Sequence, residues 1–236
     1  MEPGTAPYNG SYEGYVRNKA IEIFGYRTFE GNEYTVFGQT FEPIAQKVYE
    51  DYINNHSGFP FKVKFHESGF FKHDMYDFIG ASPDGIIEVL NSKGETVNFN
   101  LLEIKCPSNY KPVTQNGLKV DKPNYYWQVQ QQLFVTGMKN CTFTNCEFKY
   151  FGTANEYIES DFQYKGIIAK SEDGVVHYMK ENIFLIGDPL SSIEKFMDSI
   201  ANVKNPDIKF WYLSRMDLTE VDFDTEYYNF IPKIKQ

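Results

Sequence analysis

The 236-residue chain is 42% hydrophobic and 23% charged, ordinary values for a soluble globular protein and enough length for one domain, residues 1–236, with a substantial core. No apolar run approaches the ~20 residues of a bilayer span, and Met1-Glu2-Pro3-Gly4 lacks the basic and apolar regions of a secretory leader, so an intracellular protein without membrane contact is expected. The formal net charge of −9 counts against a binder that shows nucleic acid a basic surface, although a channel on an acidic molecule can still be lined by basic side chains.

Residues 1–14, rich in Gly, Pro, Ser and Tyr, read as loop or disordered chain. A helix is expected from Tyr15 to about Phe24, and Gly31-Asn32-Glu33 marks a loop. The next helix, about Thr40 to Ile53, carries Phe41, Ile44, Ala45, Val48, Tyr49 and Tyr52 at helical spacing, with Pro43 tolerated in its first turn. Glu42 falls at the buried edge of that stripe. Spacing alone leaves two readings equally open, an acid placed for function and a first-turn glutamate favoured by the helix dipole.

Residues 61–71 alternate and are aromatic, so they read as a strand leading into a hairpin. In that hairpin Ile86, Ile87, Val89 and Leu90 precede Asn91-Ser92-Lys93-Gly94-Glu95, and Val97, Phe99, Leu101 and Leu102 follow it. A turn centred on Lys93-Gly94 places Asp84 opposite Glu103. Paired Cβ atoms in a sheet lie roughly 4.5–5.5 Å apart, a separation at which two carboxylates can share a divalent cation. Residues two apart face the same side of a strand, so Glu103 and Lys105 point together while Ile104 faces the core.

Two carboxylates and a lysine suit metal-assisted phosphodiester hydrolysis. Carboxylate oxygens hold Mg²⁺, the ion activates water and neutralises phosphate charge, and the lysine orients that water or stabilises the anionic transition state.

Ser108 to Pro123 reads as a polar loop able to close over a substrate. A helix from about Asn124 to Thr136 follows, with Gln128, Gln131 and Gln132 forming one polar stripe. Cys141 to Thr144 and Glu147 to Phe151 alternate as two strands, and Lys165 to Ala169 is a third. Residues 190–203 read as a helix, and Asp224 to Ile231 begins a last one before Pro232. Cys106, Cys141 and Cys146 are too few for a disulfide framework or a four-cysteine iron-sulfur site and are read as reduced thiols. The lysines between Lys62 and Lys122 cluster around the motifs. Of the abundant aromatics, 18 Tyr and 21 Phe, most belong to the core and a few are available to stack on bases.

Three flanked motifs, Gly80-Ala81-Ser82-Pro83-Asp84-Gly85, Glu103-Ile104-Lys105-Cys106-Pro107 and Trp127-Gln128-Val129-Gln130, occur in that order. Together they resemble the lambda-exonuclease-like, YqaJ-type viral recombinases and alkaline exonucleases of the PD-(D/E)XK nuclease superfamily. The resemblance is specific from about residue 37 to 137. It implies an α/β restriction-endonuclease-like core, a mixed central β-sheet flanked by helices.

It further implies catalytic roles for Glu42, Asp84, Glu103, Lys105 and Gln128. The metal ligands would be Asp84, Glu103, the Ile104 backbone carbonyl and Glu42, directly or through water. The segment from Phe37 to Ala45 is similar to the family's acid-bearing helix, with Glu42 at the matching position. Asp74 is a second-tier acid, with Asp77 near it and either open as a turn residue. Gln130 is second-tier beside Gln128, because a two-residue offset turns it away.

The cofactor implied is Mg²⁺, with Mn²⁺ able to substitute. The activity implied is 5′ to 3′ exonuclease action on linear double-stranded DNA ends, leaving 3′ single strands for recombination or repair. Two alternatives stay open: a structure-specific endonuclease on the same centre, and a catalytically silent nucleic-acid-binding module. Family partners include a single-strand-annealing protein, and members form rings of three. The implied location is the cytoplasm or nucleus of a host. One departure stands out. The upstream Arg/Ser pair with which the family recognises a 5′ phosphate has no visible match, its remnant being Pro7-Tyr8-Asn9-Gly10-Ser11.

Overall fold

The computed structural model describes residues 32–112, 115–179, 184 and 187–229. The expected Tyr15–Phe24 helix and the Pro7–Ser11 segment lie outside them. The chain divides into two compact units, Met1–Val36 and Phe37–Gln236. Of the first, the description covers only residues 32–36.

Five helices, a short 3-10 turn and nine strands are described. Helix α1 runs Glu33–Asn55, so it begins a full two turns before the expected Thr40. Its start is capped: Asn32 Oδ1 accepts the Thr35 backbone N–H at 2.9 Å, which satisfies one of the amides left unpaired at a helix start. The Asn32-Glu33 pair read as loop is therefore the cap and first residue. Pro43 consequently sits inside the helix rather than in its first turn, where its missing N–H leaves the Gln39 carbonyl without the usual helical donor.

The remaining elements are β1 (Lys62–His66), β2 (Phe71–Lys72), β3 (Gly80–Ala81), β4 (Gly85–Leu90), β5 (Thr96–Lys105), α2 (Gln115–Asp121), α3 (Pro123–Thr136), β6 (Asn140–Tyr150), α4 (Ala154–Glu159), β7 (Lys165–Lys170), β8 (Val176–Tyr178), α5 (Pro189–Ser199), β9 (Asp207–Asp222) and the 3-10 turn Thr225–Asn229. Seven strands form one sheet in the order β1-β4-β5-β6-β9-β7-β8, and β2-β3 form a separate two-stranded arm. All pairs in the large sheet are antiparallel except β5 with β6. That pair is joined by the α2–α3 crossover, as a parallel pair requires. The fold is thus mixed α/β, a curled mixed sheet with helices against it.

Several expected elements are redrawn. The strand read over 61–71 stops at His66. The Ser108–Pro123 loop contains α2, held because Leu118, with no exposed surface, packs with Leu101, Val129 and Leu133. The two strands read over 141–151 are one continuous strand, β6, with an irregularity between Glu147 and Phe148. The last helix is a 3-10 turn as far as Asn229. Strand β9, sixteen residues long and central to the sheet, was not anticipated.

The core lies on both faces of the sheet. Phe41, Ile44, Ala45 and Val48 of α1 are wholly buried and pack with Leu102, Ile104 and Trp211. On the opposite face Val129 and Leu133 of α3 join Leu101 and Phe143. Two-sided cover explains the unbroken apolar run in β5. It also means that any residue of Leu101–Ile104 is withdrawn from water whichever way it points, and Glu103 is the one ionisable residue in that run.

Candidate active site

The β4–β5 hairpin has the register expected from its turn. Gly85 pairs with Leu102, Ile86 with Leu101 and Ile87 with Asn100, and the register shifts only near the turn, between Val89 and Leu90. Gly94 supplies the positive φ, +78°, that the tight connection demands. Extended one residue, the pairing sets Asp84 beside Glu103. Asp84 Oδ2 accepts the Ile104 backbone N–H at 2.6 Å, which ties the end of β4 to the end of β5.

Glu103 has no exposed surface. An isolated carboxylate there would carry a desolvation penalty of several kcal/mol, and three donors offset it. Lys105 Nζ and Gln128 Nε2 both donate to Oε1, the latter at 2.7 Å, and Gln132 Nε2 donates to Oε2 at 2.7 Å. Strand alternation supplies the lysine and α3 supplies both amides. Gln128 and Gln132 are one helical turn apart and therefore share a face.

Electrostatics bind the remaining groups to this centre. Burial, with the nearby Glu103 charge, pushes Asp84 up to about 7 against the opposing pull of Lys105 and the Ile104 N–H. Burial also raises Glu42, which feels Lys105 and Glu103. Burial works against the Lys105 ammonium, but Glu103 and Asp84 outweigh it and hold its pKa above the ordinary lysine value. Lys105 also lies 5.4 Å from the Tyr125 ring centre, within cation-π range.

The structure therefore brings Glu42, Asp84, Glu103, Lys105 and Gln128 to one place. The second-tier residues do not join them. Gln130, wholly buried, donates to the Asp222 carbonyl at 2.9 Å and accepts the Asp224 N–H at 2.6 Å, so it clamps α3 to the end of β9. Asp74 and Asp77 are exposed between β2 and β3. His73, beside them, stacks on Phe134 at 4.4 Å. Sequence reasoning missed Gln132. Its i+4 spacing from Gln128 was the available signal, but a stripe of glutamines reads first as a solvated face.

The YqaJ-like viral recombinase domain family matches residues 4–139. The chain belongs to that family. The match begins well before Phe37, where the motif resemblance becomes specific. A relative from Acanthamoeba polyphaga mimivirus, "Uncharacterized protein R354", is 32% identical over 135 residues, 56% of this chain and 23% of that protein. The chain thus spans about a quarter of that relative's length.

Among solved structures, the alkaline exonuclease LHK-Exo from Laribacter hongkongensis is 26% identical over 62% of this chain and 64% of its own, with a TM-score of 0.38. Its complex with dAMP is 25% identical over 56% of this chain and 60% of its own, with a TM-score of 0.39. A phage-related exonuclease from Haemophilus somnus 129PT is 16% identical over 94% of this chain and 76% of its own, with a TM-score of 0.48.

The metal that membership implies can be tested against the donor set. Glu42, Asp84, Glu103 and the Ile104 carbonyl offer only oxygen, as hard cations prefer. Three carboxyl groups, Glu42, Asp84 and Glu103, face the single Lys105 ammonium, and burial with the Glu103 charge raises the proton affinity of Asp84 and Glu42. A carboxylate has about four lone-pair sites, and three donors occupy Glu103, which leaves one free on Oε2. As they stand, no three His, Cys, Asp or Glu groups among the described residues are grouped closely enough to hold a metal ion. The chemistry of the residues fits a divalent ion, with Asp84 and Glu42 the carboxylates whose charge is least compensated.

Proposed function

We propose that this protein is a Mg²⁺-dependent deoxyribonuclease that hydrolyses phosphodiester bonds from the ends of linear double-stranded DNA. One observation carries the reading. A wholly buried glutamate is held by a lysine two residues away and by two helix amides, beside an aspartate whose ionisation its neighbours oppose. Carboxylates held where burial opposes their ionisation are more readily explained by chemistry than by folding.

When bound, the ion would supply Lewis acidity to the phosphate and a lowered pKa to water. Asp84, Glu42, Glu103 and the Ile104 carbonyl would hold it. Lys105 remains an ammonium at working pH, since its pKa lies above the ordinary lysine value. It therefore donates hydrogen bonds to the attacking water or the developing oxyanion and is not the base. Gln128 spans Glu103 and solvent, so it fixes the carboxylate on one side and meets substrate on the other. The Ile104 N–H holds Asp84 in one rotamer.

The reading extends to polarity from the 5′ end, assembly as a ring of three copies, partnership with a single-strand-annealing protein and an intracellular site of action in a host, each supported by the family resemblance alone. Among the described residues no helix is long and apolar enough to cross a membrane.

The test uses the purified chain with end-labelled linear duplex and a covalently closed circle. Mg²⁺-dependent release of nucleotides from the linear form alone is expected, abolished in Asp84→Asn and Lys105→Met variants that melt cooperatively. Cleavage of the closed circle would make it an endonuclease on the same centre. Binding of duplex without hydrolysis would make it a silent module.

A further inference from the structure

Along α3 lies a cavity of about 790 Å³, within the roughly 300–1,000 Å³ of small-ligand pockets. Its walls are aromatic and amide. Trp127 and Tyr227 stand with ring centres 6.3 Å apart, and Phe70, 74% exposed, lines the cavity with its ring against Gly80. A side chain at Gly80 would collide with that ring, so the glycine permits the ring to lie there. Asn124 and Gln131 add amides, and none of the residues lining the cavity is charged. Lys119, 5.8 Å from the Trp127 ring centre, is paired with Asp224 and Glu226, and Lys105, behind Gln128, is paired with Glu103. The cavity therefore suits a flat, neutral, hydrogen-bonding group and not a phosphate.

Its position narrows the choice. Gln128 and Gln132 line the cavity and are the same side chains whose amides hold Glu103. A single layer of side-chain amide separates the cavity from the buried carboxylate. Gln132 Oε1 is buried without a hydrogen-bond donor among the described residues, although a buried acceptor ordinarily has one.

We propose that this cavity takes one unpaired nucleobase of the strand being hydrolysed, stacked between Trp127 and Phe70, with its edge read by the amides around it. The inference rests on the nuclease reading and specifies its substrate: the strand enters with a base turned out of the duplex beside the scissile phosphate. Aromatic stacking tolerates any base, so no sequence preference is expected.

The test is a fluorescence titration of the full chain in EDTA, so that nothing is cleaved. The chain has two tryptophans. Trp211 has no exposed surface, which leaves Trp127 as the reporter, and a Trp127→Phe variant gives the blank. The probes are a trinucleotide and the same molecule lacking its central base. Wild-type protein should show saturable quenching by the intact probe and roughly 5- to 100-fold weaker binding of the abasic one. Phe70→Ala, at an exposed position that does not threaten folding, should bind the intact probe as weakly as the abasic one.

Equal affinity of wild type for both probes, or no loss in Phe70→Ala, overturns the proposal. Base-dependent binding by a chain that hydrolyses nothing upholds the cavity and removes the nuclease reading. Hydrolysis without base-dependent binding does the reverse.

Discussion

Gln132 gives its amide proton to Glu103 across 29 residues of sequence and 2.7 Å of space, and it is the sole donor to Glu103 Oε2 among the described residues. Removing it leaves a wholly buried carboxylate oxygen unserved, and an unmet buried acceptor costs about 1–3 kcal/mol. Gln132→Leu should therefore lower stability by that amount in urea melts and reduce nuclease turnover at least tenfold. Gln128→Leu, at an exposed position sharing Oε1 with Lys105, should cost less than half as much stability. Equal stability losses would mean that the two amides are not divided between the oxygens as described.

Asp84 binds its proton more tightly in the folded chain than in the unfolded one, with a folded value of about 7. Between the ordinary carboxylate range and that value the folded state holds more protons, so stability falls as pH rises. Asp84→Asn, which keeps an oxygen for the Ile104 N–H, should raise the stability of the metal-free protein by up to a few kcal/mol above pH 7, with the gain vanishing towards pH 4. Added Mg²⁺ should raise the Tm of wild type and not of the variant, because only a ligand that favours the folded state stabilises it. Thermal melts across pH with and without Mg²⁺ measure both.

Gly85 opens β4 immediately after Asp84, and a Cβ there would overlap the Phe65 ring. Gly85→Ala should destabilise by about 1–3 kcal/mol through overpacking. The double variant with Phe65→Leu should recover part of that loss, since contacting sites are not additive. A double variant no more stable than Gly85→Ala alone would refute the steric account.

Gln130 lies two residues from both Gln128 and Gln132 and serves structure instead. Its amide meets the Asp222 carbonyl and the Asp224 N–H, both main-chain groups at the end of β9. Gln130→Leu should cost about 2–4 kcal/mol while activity per folded molecule stays within twofold of wild type. A selective loss of turnover would move Gln130 into the site.

Local rules made the centre of the site legible before any coordinates. The hairpin register follows from the Lys93-Gly94 turn and the two-residue period of a strand, which put Asp84, Glu103 and Lys105 together. The 3.6-residue period of a helix set Glu42 at the buried edge of α1, but its place in the site came from the family resemblance and not from pattern. Asp84, Glu103 and Lys105 are close in sequence or linked by one tight turn, so pattern alone brings those three together.

The rest depended on how separate elements stack. Asn32 caps α1 earlier than its apolar stripe begins. Leu118 draws a helix out of a polar stretch because a core waits for it. Strand β9 exists because β6 and β7 flank it. Gln132 meets Glu103 only once the crossover from β5 to β6 has laid α3 across the sheet at one rotation and height. Long-range packing selects among faces that the sequence leaves equivalent, since each glutamine of the stripe is equally polar until a buried charge stands opposite one of them.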